Sequence, residues 1–219
     1  MNLNYQRARD LMVENQLRPN KIKNPLILEL FKEMPKENFM LEDEGVIPYS
    51  DADITLANNR GYLKNLHIAQ LINSAEIQKH HIILHVGALT GYVTALLSNL
   101  CLKVYAIETD ENLIIKLQEN IKKLHLNNIE IVNGSFIYGY KSEELYDIIF
   151  IDSPIKKLNE NIINQTSSDL GKIIMIKKEN DYLSKAIKIT KNNNNLSNEY
   201  LFDVFSKYEL VSEREEFKF

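Results

Sequence analysis

Between residues 81 and 177 five short apolar runs alternate with helical segments, and that alternation leaves few folds open. The runs HIILHVG (81–87), KVYAIET (103–109), IEIVNGS (129–135), YDIIFIDS (146–153) and GKIIMIK (171–177) are rich in Ile and Val and too short to be buried helices. TGYVTALLSNL (90–100) and ENLIIKLQENIKKL (111–124) carry apolar residues at helical spacing. Strands alternating with helices predict the α/β class, a mostly parallel sheet with helices on both faces. The flanks differ. Residues 4–17, the stretch opened by Pro25 and stopped by Pro35, and residues 65–76 read as helices. Residues 42–61 hold Pro48 and two glycines and read as irregular structure. EYLFDVF (199–205) and the stretch 208–219 read as antiparallel edge strands, and the NNNN run (192–195) as a flexible hairpin or loop.

Composition excludes several classes. The 219 residues are 44% apolar, enough for a sizeable core. With 26 Lys and Arg against 30 Asp and Glu, the net charge of −4 argues against coating nucleic acid or an anionic membrane. No apolar run comes near the roughly 18 residues of a membrane span. The opening MNLNYQRARD carries no apolar leader, so a cytoplasmic protein is expected. The single cysteine, Cys101, excludes an internal disulfide and a multi-cysteine zinc site, and reads as a buried structural thiol. His80 and His81 have only His85 nearby and no carboxylate at ligand spacing, so no metal is expected. Lys156-Lys157 and Lys177-Lys178 read as solvated loop charges.

In an open parallel sheet, ligands sit outside the carboxyl ends of the strands. The first such loop is His85-Val86-Gly87-Ala88-Leu89-Thr90-Gly91-Tyr92, whose glycines let backbone approach a ligand and open a helix, or simply make a tight turn. The second strand ends at Glu108-Thr109, about 21 residues after Gly87. A carboxylate there accepts from both ribose hydroxyls of a nucleoside, or else serves the following helix N-terminus. In Asn133-Gly134-Ser135-Phe136 a polar group can meet a base edge, with Phe136 on its face. Asp152, before Ser153-Pro154, orients a substrate or cofactor amine, or makes an Asx-type turn. There is no G-x-G-x-x-G and no P-loop lysine, so a nucleoside without a pyrophosphate fits better, and S-adenosylmethionine is the common one.

Several short motifs, in order, resemble the protein-L-isoaspartate O-methyltransferase family. Arg9-Asp-Leu-Met-Val-Glu-Asn-Gln-Leu17 is similar to its R-x-x-M-V-x-x-Q-L opening, and Met34-Pro-Lys-Glu-Asn-Phe39 to V-P-R-E-x-F. Pro48-Tyr-Ser-Asp51 follows, then LHVGALTGY (84–92), which resembles L-E-I-G-T-G-S-G-Y. The likeness runs on through Ile129-Glu-Ile-Val-Asn-Gly134, Tyr146-Asp-Ile-Ile and Gly171, covering roughly residues 5–177. The resemblance implies a Rossmann-like S-adenosylmethionine-dependent methyltransferase fold in a single domain. Residues 1–78 would be an N-terminal helical extension and lid, 79–178 the nucleoside-binding core, and 179–219 the C-terminal edge strands. It implies methyl transfer to a carboxylate in a damaged protein or peptide, with S-adenosylhomocysteine as product. It also implies a monomer or weak homodimer that engages neither nucleic acid nor membrane. Carried over, the cofactor contacts are His85, Gly87, Leu89, Gly91, Tyr92, Glu108, Thr109, Gly134, Ser135, Phe136 and Asp152.

The departures fall on functional positions. The family's first-motif acid is His85, which cannot pair with the cofactor ammonium as a carboxylate does. Its middle glycine is Leu89, and its adenine-reading aspartate is Ser135. The G-Q-T-I-S-Q-P lid is replaced by Arg60-Gly-Tyr-Leu-Lys-Asn-Leu66, so its serine is absent. Asn58, Asn59, Arg60, Tyr62 and Lys64 become the substrate or lid residues. Lys64 is the one candidate for a catalytic role, although a cation near a sulfonium is disfavoured and a surface lysine is the plainer reading. These changes also leave open a catalytically impaired binding or scaffold module, and a methyltransferase with another acceptor.

Overall fold

A computed structural model describes residues 4–41, 47–57, 59–142 and 144–210. A seven-stranded sheet has the order β5-β4-β3-β6-β7-β8-β9. Its members are β3 (Ile82–Val86), β4 (Lys103–Glu108), β5 (Ile129–Asn133), β6 (Ile148–Ile155), β7 (Asp169–Lys178), β8 (Ser184–Asn192) and β9 (Asn195–Val204). From β3 through β7 all neighbours are parallel, and β7-β8 and β8-β9 are antiparallel. Chain order runs outward from β3 to β5, then reverses to β6, which places a topological switch point at the carboxyl ends of β3, β4 and β6.

Strand alternation sorts the core. Ile83 of β3 packs with one apolar cluster, while Leu84 and Val86 face the opposite one. The first cluster joins α3 (Asn65–Ala75) and α4 (Tyr92–Ser98) to the N-terminal elements, which are α1 (Tyr5–Met12), its π-helical continuation Val13–Leu17, and α2 (Pro25–Glu33). The second includes Ile162 of α6 (Glu160–Gln165). Leu117 and Ile121 of α5 (Glu111–Lys123) cover Ala88 and Ala106. Cys101 is buried, and burial pushes its thiol up to about 12.

Three expectations change. Part of the segment read as irregular forms a two-stranded hairpin, β1 (Ile54–Ala57) with β2 (Arg60–Tyr62), outside the main sheet. Gly61 is required there, because a Cβ would come within 2.1 Å of the Ile54 carbonyl oxygen on the partner strand. Strand β8, unassigned from sequence, pairs along β7, and the NNNN run is its tight turn into β9, with Asn193 at a positive φ that asparagine tolerates. Residues 205–210 are not a strand, and residues 42–46 and 211–219, also read from sequence, lie outside the described ones. No described helix is long and apolar enough to cross a membrane.

Beneath the hairpin lies a fully buried lysine. Lys36 donates from Nζ to Asn65 Oδ1 at 2.9 Å and stands over the rings of Tyr92 (5.2 Å) and Tyr62 (5.7 Å). Burial pushes its pKa down to about 7, against the weaker pull of Asp53. The unfolded chain keeps this proton up to the model-peptide value of 10.5, so folding expels it between about 7 and 10 and stability rises with pH across that window. The melting temperature of the wild type is therefore expected to rise relative to that of Lys36→Met between pH 7 and pH 9. Parallel curves for the two proteins would refute this.

Candidate functional site

Glu108 ends β4 at the switch point and is completely buried. Its Oε1 accepts from Arg60 Nη1 (2.6 Å), Thr109 N (2.9 Å) and Asp110 N (3.2 Å). Its Oε2 accepts from Arg60 Nη2 (2.7 Å) and Leu89 N (2.7 Å). A carboxylate has about four lone-pair sites, so this one is saturated. The arrangement explains Leu89, which has a φ of +54° although it is not glycine. The αL conformation costs about 1–2 kcal/mol, and it points the Leu89 amide at Glu108 while the side chain is buried.

Arg60 reaches this carboxylate from β2 and is itself only 4% exposed. Its guanidinium lies over the Phe136 ring, 4.9 Å from the centroid. Its Nε is buried with no hydrogen-bond partner, at a cost of about 1–3 kcal/mol. Gly87, at φ +88°, presents a bare Cα to the same space. Leu210 Cδ1 lies 2.8 Å from where a Cβ would stand, and Arg60 Nη2 at 3.5 Å. Leu210 is held by its amide on the Pro154 carbonyl (2.8 Å).

The remaining residues divide. His85 and Asp152 meet in the interior, with His85 Nε2 3.1 Å from Asp152 Oδ1 and Nδ1 2.8 Å from Thr94 Oγ1. A proton on Nε2 lets the ring donate to the carboxylate and accept from the Thr94 hydroxyl. Asp152 therefore answers the histidine that replaced the first-motif acid, and it lies within β6 rather than in an Asx turn. Gly91, at φ +97°, caps α4. Ser135 Oγ accepts from the Ile137 and Tyr138 amides (3.1 and 3.3 Å), so this hydroxyl organises the turn after Gly134.

Tyr92, Tyr62 and Lys64 take other partners. Tyr92 is packed in the N-terminal extension against Phe31, Phe39 and Tyr62 at 5.5–6.4 Å. Tyr62 is sealed in the same cluster, its hydroxyl bonded to Thr90 Oγ1 and to the Tyr92 amide, each at 2.9 Å. Lys64 pairs with Asp51. Its Nζ is 3.3 Å from Asp51, its amide donates to Asp53, and it lines a cavity of about 610 Å³ with Asp53, His67, Asp203, Lys207 and Tyr208. Burial, then Lys64, pushes His67 down to about 4 there, and Asp53 is raised, chiefly by burial. Asn59 is exposed at the hairpin turn, and Asn58 lies outside the described residues. Among the described residues no group of three or more His, Cys, Asp or Glu is placed to hold a metal.

Sequence reasoning missed Leu210 altogether, since an isolated leucine near a chain end carries no signal. Arg60 was noticed as a lid residue, but not as the partner of Glu108. The available clue was that a carboxylate ending a buried strand needs a counter-charge.

The order of strands, the antiparallel edge and the acidic end of β4 define a Rossmann-like methyltransferase fold. A solved protein-L-isoaspartate O-methyltransferase superposes over 93% of this chain with a TM-score of 0.81 and 19% identity, and this chain spans 66% of that one's length. A Plasmodium falciparum β-aspartate methyltransferase (PCMT) in complex with S-adenosyl-L-homocysteine covers 92% of this chain and 98% of its own, with a TM-score of 0.73 and 22% identity. Protein-L-isoaspartate O-methyltransferase 1 of Syntrophobacter fumaroxidans is 27% identical over 79% of this chain and 80% of its own. The protein-L-isoaspartate(D-aspartate) O-methyltransferase (PCMT) family description matches residues 7–206, and the chain belongs to that family.

The packed site does not fit a nucleoside cofactor in this conformation. The Glu108 oxygens that a ribose requires are held by Arg60, the face of Phe136 is covered by its guanidinium, and Leu210 covers Gly87. Removing one partner of a buried ion pair costs about 3–5 kcal/mol, because the other charge stays buried. Glu108→Gln should therefore lower unfolding free energy by roughly 3 kcal/mol. Arg60→Met with Glu108→Gln should lose clearly less than the sum of the single losses. Denaturant titration of the four proteins reads the coupling, and additive losses would refute it.

Proposed function

We propose that the protein is an S-adenosylmethionine-dependent methyltransferase that methylates the carboxylate of isoaspartyl residues in damaged proteins, with S-adenosylhomocysteine as product. The observation that carries this reading is the retained Glu108. It ends the second strand of the family fold, opposite the bare Cα of Gly87 and beside Phe136, as nucleoside recognition requires. The match over residues 7–206 supports it, since relatives across that span are named for this activity. The whole chain acts as one domain, in the cytoplasm, as a monomer or weak homodimer, on protein rather than nucleic acid. Lys64 is a residue of the acceptor side, since its cavity adjoins the hairpin that replaces the family's lid.

A second reading is favoured by one observation. The saturation of Glu108 by Arg60 suits a chain that keeps the fold as a binding module without catalysis. Methyl transfer separates the two. Purified protein with labelled S-adenosylmethionine is expected to label an isoaspartyl peptide and to leave its aspartyl isomer unlabelled. Labelling of neither peptide, by wild type or by Arg60→Ala, would overturn the enzymatic reading. Labelling of another acceptor alone would move the activity to a different substrate.

A further inference from the structure

Resting on that reading, we propose that Arg60 and Leu210 form an internal ligand of the nucleoside site, an intrasteric plug that the cofactor displaces in order to bind. Each part stands on a group the nucleoside needs. The guanidinium takes both oxygens of Glu108 in a fork, as two vicinal hydroxyls would, and its Cζ stands over the Phe136 ring where a base would stack. The isobutyl group of Leu210 rests on the bare Cα of Gly87, the backbone position whose openness serves a ligand.

The plug is built from attachments rather than from the sheet. Arg60 belongs to the separate β1-β2 hairpin, and Leu210 to a segment without regular structure that follows β9. The two are tied together. Tyr208 bonds Thr55 of β1 hydroxyl to hydroxyl at 2.9 Å, and its ring lies over Gly61, 2.8 Å from where a Cβ would be. Hairpin and tail are thus one unit. Its fixed end is Tyr62, locked to Thr90 and to the Tyr92 amide, and its displaceable end is Arg60. The closed form also leaves the buried Arg60 Nε without an acceptor, whereas an arginine turned outward meets water on every donor. A ligand that replaces this plug gains only the difference between its own contacts and those it breaks. The changed residues and the plug therefore act on one quantity, the apparent affinity for the cofactor.

Calorimetric titration of the full chain with S-adenosylhomocysteine tests this, with circular dichroism and melting curves confirming that each variant is folded. Arg60→Ala and Leu210→Ala are each expected to bind at least tenfold more tightly than wild type. Wild-type binding as tight as that of both variants, or weaker binding by Arg60→Ala, would overturn the plug and leave the methyltransferase reading standing. If Arg60→Ala does not fold, Leu210→Ala, which removes only apolar contacts, decides alone. Absence of binding by all folded variants up to millimolar ligand would overturn the plug together with the cofactor assignment. Tight binding by the variants without transfer to an isoaspartyl peptide would uphold the plug and sink the acceptor assignment.

Discussion

The ion pair between Arg60 and Glu108 ties the separate hairpin to the main sheet. One partner ends β4 in the core of the sheet, and the other belongs to a hairpin that shares no strand pairing with that sheet. Both are buried, so each charge depends on the other for its place in a low-dielectric interior. The Leu89 amide is aimed at the same carboxylate, so the turn after β3 takes its unusual backbone from this contact as well. The Rossmann-like switch point, the hairpin and the tail are thereby held around one carboxylate.

Changes that look independent in the sequence compensate one another in space. A histidine replaces the first-motif acid, and Asp152 receives it across the interior. Leu89 stands where the family motif has a glycine, and it holds a positive φ with its amide on a buried acceptor. Tyrosine replaces the lid threonine, and it enters an aromatic cluster with Tyr92 that roofs a buried lysine. Together these substitutions make a self-consistent polar interior, with the lid drawn in as part of it.

The central strands were legible because Ile- and Val-rich runs of seven or eight residues, separated by amphipathic helices, leave few arrangements open. The strand inside the antiparallel edge was less so. β8, SKAIKITKN, intersperses Lys with apolar residues and resembles a solvated stretch until β7 and β9 are beside it. At the site, Glu108 could be placed from its distance to Gly87 and its position at a strand end. The orientation of Tyr92 could not, since a residue opening a helix can face either the ligand or the extension packed behind it. Lys64 illustrates the same limit. Four residues from Arg60, it faces a separate cavity with Asp51, because the chain leaves β2 and turns into α3 between them.

The amino-acid sequence by itself determined the α/β class, the five runs that become the parallel strands and the carboxylate at the end of the second one. Those features follow from hydrophobic period and from spacing along the chain, which are local quantities. Only the tertiary structure decided that Arg60 is the partner of Glu108, that Leu210 lies on Gly87, and that His85 meets Asp152. These contacts join residues 48, 123 and 67 positions apart. No local pattern encodes them, because a buried charge or a bare glycine surface specifies only that something must cover it. Which side chain does so is settled when the hairpin and the tail fold back over the strand ends.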